Sequence, residues 1–132
     1  MPHVTMEYSA NLDAKLDMAA LCAAVADAAL ATGIFEIGAV RVRAVRCDAY
    51  AIADRLPENA FLDAVLKMGQ GRSAEDRKRL GEALFETLQA RTAHLLAEPH
   101  FALTLQLREI DDAFSWKRNA IHPRTREAVT DD

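Results

Sequence analysis

Residues 60–76, AFLDAVLKMGQGRSAED, contain the pattern that decides the fold: a strand, a turn and the start of a helix. Apolar residues alternate along residues 60–68, as they do in a strand with one buried face. Ser73 is a favourable N-cap, and Glu75 and Asp76 fall in the first helical turn, where the helix dipole favours negative charge. The stretch therefore predicts a strand that leads through a tight turn into a helix.

The same types of element occur twice along the chain. The predicted elements are a strand at 2–8 (PHVTMEY), a helix at 17–32 capped by Asp17 and stopped by Gly33, a strand at 39–46 (AVRVRAVR), a strand at 60–68, a helix from Ser73 to before Pro99, and a strand at 101–109 (FALTLQLRE). Two β-α-β units can share one sheet when right-handed crossovers place both helices on the same face. We therefore predict an α+β fold with a four-stranded sheet and two helices on one face.

Two features of these elements indicate contacts between subunits. The helix at 17–32 is rich in alanine and apolar on nearly every side, which is typical of a helix buried on more than one face. The sheet face without helices would be bare, although its strands carry apolar residues. We therefore predict an oligomer.

Length and composition limit the class of protein. The chain has 132 residues, of which 51% are hydrophobic, and a formal net charge of −4, as expected of one packed domain. We assign residues 1–122 to that domain and predict a mobile tail at 123–132, where apolar side chains are few. An acidic balance argues against a nucleic-acid partner. No stretch suits a membrane span or a secretory signal, so we predict a cytoplasmic protein.

Cysteine and histidine provide no recognisable site. Cys22 and Cys47 are too few for a disulfide framework, and the four histidines are scattered along the chain. No spacing fits a zinc site, so we predict no bound metal.

Pro2 is the first candidate for chemistry. Removal of Met1 would leave Pro2 with a free secondary amine, whose lone pair can accept a proton without any side chain. An α-amino group has a pKa of about 7.7–8.0, and burial beside cations would enlarge its neutral fraction. Proline is also simply tolerated at position 2, so this signal is weak by itself.

Three arginines are candidates for binding an acidic ligand. Arg41 and Arg43 are two residues apart on a strand and therefore share one face, where they can bind carboxylates or form ion pairs on a solvated edge. Arg72 lies between Gly71 and Ser73, in a turn at a helix N-terminus that can bind an anion or serve only as a cap. The spacing matches neither a P-loop nor a dinucleotide-binding motif.

The segment around Trp116 has a more ordinary interpretation. Trp116 is typical of a packed aromatic side chain. Lys117, Arg118, Asn119 and His122 can line the edge of a pocket or face solvent, and the sequence favours solvent.

Five segments of the chain resemble one enzyme family. They are MPH at 1–3 followed by Glu7, Ser9 and Asn11-Leu12, then ATGIF at 31–35, VRVR at 40–43, KMGQGRS at 67–73 and FSWKRNAIH at 114–122. Together they resemble the 5-carboxymethyl-2-hydroxymuconate isomerase family of the tautomerase superfamily. The resemblance runs from Met1 to about His122.

The resemblance implies a fold, an assembly and a reaction. It implies two β-α-β units in a homotrimer that acts in homoprotocatechuate catabolism without a metal or organic cofactor. The substrate would be a small tricarboxylic dienol, converted to its conjugated keto isomer by proton transfer. Pro2 would be the base and then the acid, and Arg41 and Arg72 would bind carboxylates and polarise the enol oxygen. Arg43 is a further candidate for substrate binding.

Two alternatives remain open at this point. A related enol–keto tautomerase would share Pro2 and differ in the groups that bind the anion. A non-catalytic oligomeric module would use the arginines to bind an acidic metabolite, and Pro2 would have no role.

Overall fold

The computed structural model describes residues 2–130, and the side chains of residues 2–127. The strands are β1 (His3–Ser9), β2 (Arg41–Cys47), β3 (Ala60–Gly69) and β4 (Phe101–Ile110). The helices are α1 (Met18–Ala31), α2 (Ala74–Arg91), α3 (Ala93–Leu96) and α4 (Ile121–Thr130), with 3-10 turns at Ala10–Ala14, Ile37–Ala39 and Asp112–Phe114.

The four strands form one mixed sheet in the order β2-β1-β3-β4. Strand β1 is parallel to β2 and antiparallel to β3, and β3 is parallel to β4. Each parallel pair encloses a long helix, α1 in the first unit and α2 in the second. The predicted pair of β-α-β units is therefore confirmed.

The core lies between the sheet and its two long helices. In the central pair of strands, Val4 is opposite Leu66 and Met6 is opposite Ala64, and all four are buried. The helices contribute buried residues to the same cluster, namely Leu21, Val25 and Ala29 from α1 and Leu80, Leu84 and Leu88 from α2. Both long helices therefore cover one face of the sheet, as predicted.

Local hydrogen bonds explain where the long helices begin and end. Asp17 accepts a hydrogen bond from the Ala20 amide at 3.0 Å, and Ser73 accepts one from the Asp76 amide at 3.0 Å, so both predicted N-caps are confirmed. Helix α2 ends at Arg91, well before Pro99. The reason is Thr92, whose hydroxyl donates to the Leu88 carbonyl at 2.7 Å.

The C-terminal segment differs from the sequence analysis, which predicted no helix there. Helix α4 crosses the predicted domain boundary at residue 122. Asn119 caps it by accepting hydrogen bonds from the amides of Ile121 at 2.8 Å and His122 at 3.1 Å. Few apolar residues mark this helix, because it docks mainly through polar contacts. The mobility of residues 123–132 stays a prediction.

Within residues 2–130, no helix combines the length and the apolar character needed to cross a membrane.

Replacing Leu84 with alanine tests the core between α2 and the sheet. We expect a loss of about 2–5 kcal/mol in the free energy of unfolding, because a fully buried side chain leaves a cavity. Glu86→Ala, an exposed change on the same helix, is the matched control and should change this free energy by less than about 0.5 kcal/mol. The measurement is denaturant unfolding at one fixed protein concentration. Equal effects of the two substitutions would contradict this placement of the core.

Candidate active site

A cavity of about 630 Å³ lies between the start of β1, the turn before α2 and the C-terminal segment. Its lining combines residues from three distant parts of the chain. They are Pro2, Ile34, Phe35, Glu36 and Ala39 from the first unit, Arg72 from the turn, and Lys117, Asn119, His122, Pro123 and Arg126 from the C-terminal segment.

Pro2 is held at the inner wall of this cavity by the sheet. It directly precedes β1, which lies between β2 and β3, and its carbonyl accepts a hydrogen bond from the Arg41 amide at 3.2 Å. Its side chain is less than 2% exposed. Proline has no amide hydrogen to donate, so its place before the strand costs no ladder hydrogen bond. Pro2 is therefore a fixed and largely dehydrated residue.

Arg72 lines the same cavity. It follows Gly71, whose φ of +102° is a backbone conformation that favours glycine, and this turn carries Arg72 back toward the end of α1. The Arg72 guanidinium lies 5.6 Å from the centre of the Phe35 ring. The structure thus brings two of the four predicted site residues, Pro2 and Arg72, to one cavity.

Arg41 and Arg43 lie on the other face of the sheet. Their partners in β1 are His3 and Thr5, which point away from the helices, and neither arginine lines the cavity. Arg43 Nη1 lies 3.3 Å from His3 Nδ1. Burial, and then the charges of Arg41 and Arg43, lower the pKa of His3. The role assigned to these two arginines stays a prediction.

The C-terminal segment builds the wall that sequence reasoning missed. Lys117, Asn119 and His122 line the cavity, although the sequence favoured solvent for them. Arg126 lines it as well, from a segment predicted to be a tail. A cluster of basic residues near the C-terminus of an acidic chain was the available signal, but it does not show what these residues face.

Arg126 and Glu36 form a bidentate ion pair at the cavity. Arg126 Nε donates to one carboxylate oxygen of Glu36 and Nη2 to the other, each at 2.7 Å. These hydrogen bonds hold the pKa of Glu36 below its ordinary value and raise that of Arg126. His122 Nδ1 lies 3.6 Å from the same carboxylate, beyond hydrogen-bond distance, and this buried nitrogen has no hydrogen-bond partner in the described structure.

A close backbone contact at Gly38 fixes the position of α4. A Cβ atom at Gly38 would lie 2.8 Å from Thr125 Oγ1 and 3.3 Å from the His122 Cα. The Gly38 carbonyl also accepts a hydrogen bond from Asn119 Nδ2 at 2.8 Å. Glycine at position 38 therefore lets the helix approach closely enough to wall the cavity.

The charges of the cavity suit an anionic ligand. Arg72, Lys117 and Arg126 supply three cations, and Glu36 is the one carboxylate among the lining residues. No group of three or more His, Cys, Asp or Glu side chains within the described residues has a geometry that could hold a metal ion.

The fold is that of the tautomerase superfamily. A fused 4-OT, described as a symmetric trimer, aligns with a TM-score of 0.63 at 17% identity over 90% of this chain and 96% of its own, which shows the shared fold.

The chain belongs to the 5-carboxymethyl-2-hydroxymuconate isomerase family, whose model matches residues 2–125. A 5-carboxymethyl-2-hydroxymuconate Delta-isomerase from Escherichia coli is 34% identical over 122 residues, which are 92% of this chain and 97% of that protein. The crystal structure of a 5-carboxymethyl-2-hydroxymuconate isomerase from Deinococcus radiodurans R1 is 38% identical with a TM-score of 0.88, covering 93% of this chain and 92% of its own. The family predicted from the sequence is confirmed, and it is a family of enzymes.

Replacing Arg126 with methionine tests the ion pair. We expect the pKa of Glu36 to rise toward the ordinary glutamate value, because its carboxylate loses both hydrogen bonds. Because the pKa of Glu36 is lowered, the ion pair stabilises the docked helix at pH values above the ordinary carboxyl pKa. This stabilisation is lost as the pH falls through the lowered pKa of Glu36. Titration of the carboxyl ¹³C chemical shift of Glu36 measures its pKa in the wild type and in Arg126→Met.

The control for this titration is Arg124→Met on the same helix, because Arg124 does not line the cavity and should leave the pKa of Glu36 unchanged. An unchanged pKa in Arg126→Met would contradict the pairing.

Proposed function

We propose that this protein isomerises 5-carboxymethyl-2-hydroxymuconate to its conjugated keto isomer, with Pro2 transferring the proton. The observation that carries the proposal is that Pro2 is buried against a cavity lined by three cations. The substrate named for the relatives carries three carboxylates, which match that cationic lining.

Pro2 can act as a base once Met1 is removed. Its nitrogen then becomes a secondary amine with a lone pair, whereas in a peptide bond it has neither a basic lone pair nor a hydrogen. Burial and the nearby Arg72 disfavour the protonated amine and so increase the neutral fraction. General acid–base transfer of this type contributes about 10²–10⁴-fold to the rate.

The reaction is a proton transfer along a conjugated chain. Pro2 takes the proton of the enol hydroxyl, the C–O bond becomes C=O, the two conjugated C=C bonds are replaced by one C=C bond between them, and the same proton forms a new C–H bond at the distant carbon. Oxidation state does not change, so no cofactor is required. Negative charge builds up on the enol oxygen during the transfer, and the Arg72 guanidinium, which lines the same cavity as the buried Pro2, stabilises it.

We further propose a homotrimer, which gives Arg41 and Arg43 a role. Phe114 and Trp116 are 76% and 86% exposed, as expected of a surface that another subunit covers. The sheet face that carries Arg41 and Arg43 is bare in the single chain. Covered by a neighbour, it would present these arginines to that neighbour's cavity. We also propose that the reaction belongs to homoprotocatechuate catabolism, as the resemblance implies, and takes place in the cytoplasm.

Capping Pro2 tests the base. A preparation that retains Met1 should turn over the tricarboxylic dienol about 10²–10⁴-fold more slowly than one with Pro2 as the first residue, because an amide nitrogen cannot accept the proton. An ultraviolet assay of isomerisation measures the rate, and mass spectrometry verifies processing. Treating the capped sample with methionine aminopeptidase should restore the rate.

Equal rates for the capped and processed samples would exclude Pro2 as the base. Turnover of a monocarboxylic enol but not of the tricarboxylate would favour the related tautomerase. Binding of the tricarboxylate without any turnover would favour the non-catalytic module.

A mixed assembly tests whether a neighbour supplies Arg41. Pro2→Ala and Arg41→Ala subunits, each impaired alone, are dissociated, mixed equally and reassembled. If each site combines Pro2 of one subunit with Arg41 of another, about a quarter of the wild-type turnover should return. The reason is that half of the subunits carry an intact Pro2 and the other half an intact Arg41, so one site in four receives both. Turnover no higher than the mean of the two variants would show that Arg41 does not act across the interface.

A further inference from the structure

We infer that Lys117 and Arg126 bind the carboxylate of the substrate's carboxymethyl arm and so determine selectivity for a tricarboxylate. The inference rests on the proposed function. It adds two specificity-determining residues from a part of the chain that sequence analysis assigned to solvent and to a tail.

Lys117 is set apart from its neighbour by what it faces. It lies between the 3-10 turn Asp112–Phe114 and helix α4, outside every helix and strand, and lines the cavity. Arg118 is adjacent, equally charged and also exposed, but it does not line the cavity. Lys117 is therefore an exposed cation on a flexible side chain, and it can adjust its position to bind a ligand carboxylate at the cavity.

Arg126 presents a fixed guanidinium to the same cavity. It is four residues after His122, so the two side chains share one face of α4, and both line the cavity. Arg124 lies on the same helix and does not line it. The bidentate pair with Glu36 fixes the plane of the guanidinium, and the close approach at Gly38 fixes the helix.

The balance of charges assigns these two residues to the third carboxylate. Arg72 is held over Phe35, at the turn before α2, and its role near the enol oxygen and a muconate carboxylate is already proposed. Lys117 and Arg126 come from a different segment of the chain and remain without a ligand group in that scheme. With the two muconate carboxylates bound by Arg72 and by Arg41 of a neighbouring subunit, as the resemblance implies, the carboxymethyl carboxylate is the remaining anionic group of the substrate. A ligand without it would leave Lys117 without a carboxylate to bind and Arg126 with Glu36 as its partner.

The test compares two dienols that differ by this one arm. The first is 5-carboxymethyl-2-hydroxymuconate, and the second is 2-hydroxymuconate, which lacks the carboxymethyl group and is measured as a substrate or, without turnover, as a competitive inhibitor. For Lys117→Met and Arg126→Gln we expect KM for the first to rise roughly 10- to 100-fold, the effect of losing a hydrogen bond to a charged group. The change for 2-hydroxymuconate should be less than about threefold, well below that effect.

Arg118→Met and Arg124→Met are the matched controls, because each removes a neighbouring cation outside the cavity and should leave both constants unchanged. Circular dichroism and the unfolding midpoint establish that each variant is folded. Should Arg126→Gln fail to fold, Lys117→Met decides the test, since Lys117 is exposed and lies outside the helices and strands.

The outcomes separate this inference from the proposed function. If the wild type does not isomerise the tricarboxylate, the proposed function fails. If the wild type isomerises it but the variants lose both dienols equally, or lose neither, the inference is overturned and the function stands. A calorimetric titration of Pro2→Ala with the tricarboxylate, with and without Lys117→Met, should show the same 10- to 100-fold loss in affinity where turnover is impaired.

Discussion

The pairing of β1 between β2 and β3 is the constraint on which the site depends. Pro2 precedes β1 directly, so the ladders that hold His3 and Val4 also fix the position of the proline. Because β1 is internal, neither of its edges is open to water. The proton transfer proposed for Pro2 would benefit from such a rigid support, because reacting groups have to be held within about 0.5 Å of the productive geometry.

The electrostatics of the cavity follow from segments that meet only in the folded chain. Arg72 arrives from the turn before α2, and Lys117 and Arg126 from the C-terminal segment. An acidic protein can concentrate positive charge locally in this way while its net charge stays at −4. The local field, rather than the net charge, is what an anionic ligand meets at the cavity.

Sequence reasoning succeeded where the determinants are local. The caps at Asp17 and Ser73 depend on residues within one helical turn, and the alternation in β3 shows which residues share a face. It did not show which face meets Pro2, because that depends on the register between strands. The register pairs Arg41 with His3, so the Arg41 side chain lies on the face opposite Pro2 even though the Arg41 amide donates to the Pro2 carbonyl.

The sequence analysis missed the C-terminal wall of the cavity for a similar physical reason. Helix α4 has few apolar residues, and its described contacts are with Glu36 and Gly38, more than eighty residues earlier in the chain. Neither residue carries a local signal of a partner so far away. The family resemblance assigned roles to Pro2, Arg41 and Arg72 but none to Lys117 and Arg126.

Because α4 docks through polar contacts, it should detach from the rest of the fold at a lower free-energy cost than α1 or α2. Its described contacts are an exposed ion pair with Glu36 and a close approach to Gly38, whereas α1 and α2 bury leucine and valine against the sheet. Elements with few buried apolar contacts detach at a lower free-energy cost than the global unfolding transition. Amide protons of α4 should accordingly exchange with deuterium before those of β1. Any ligand that binds Arg126 would stabilise the docked helix and so slow that exchange.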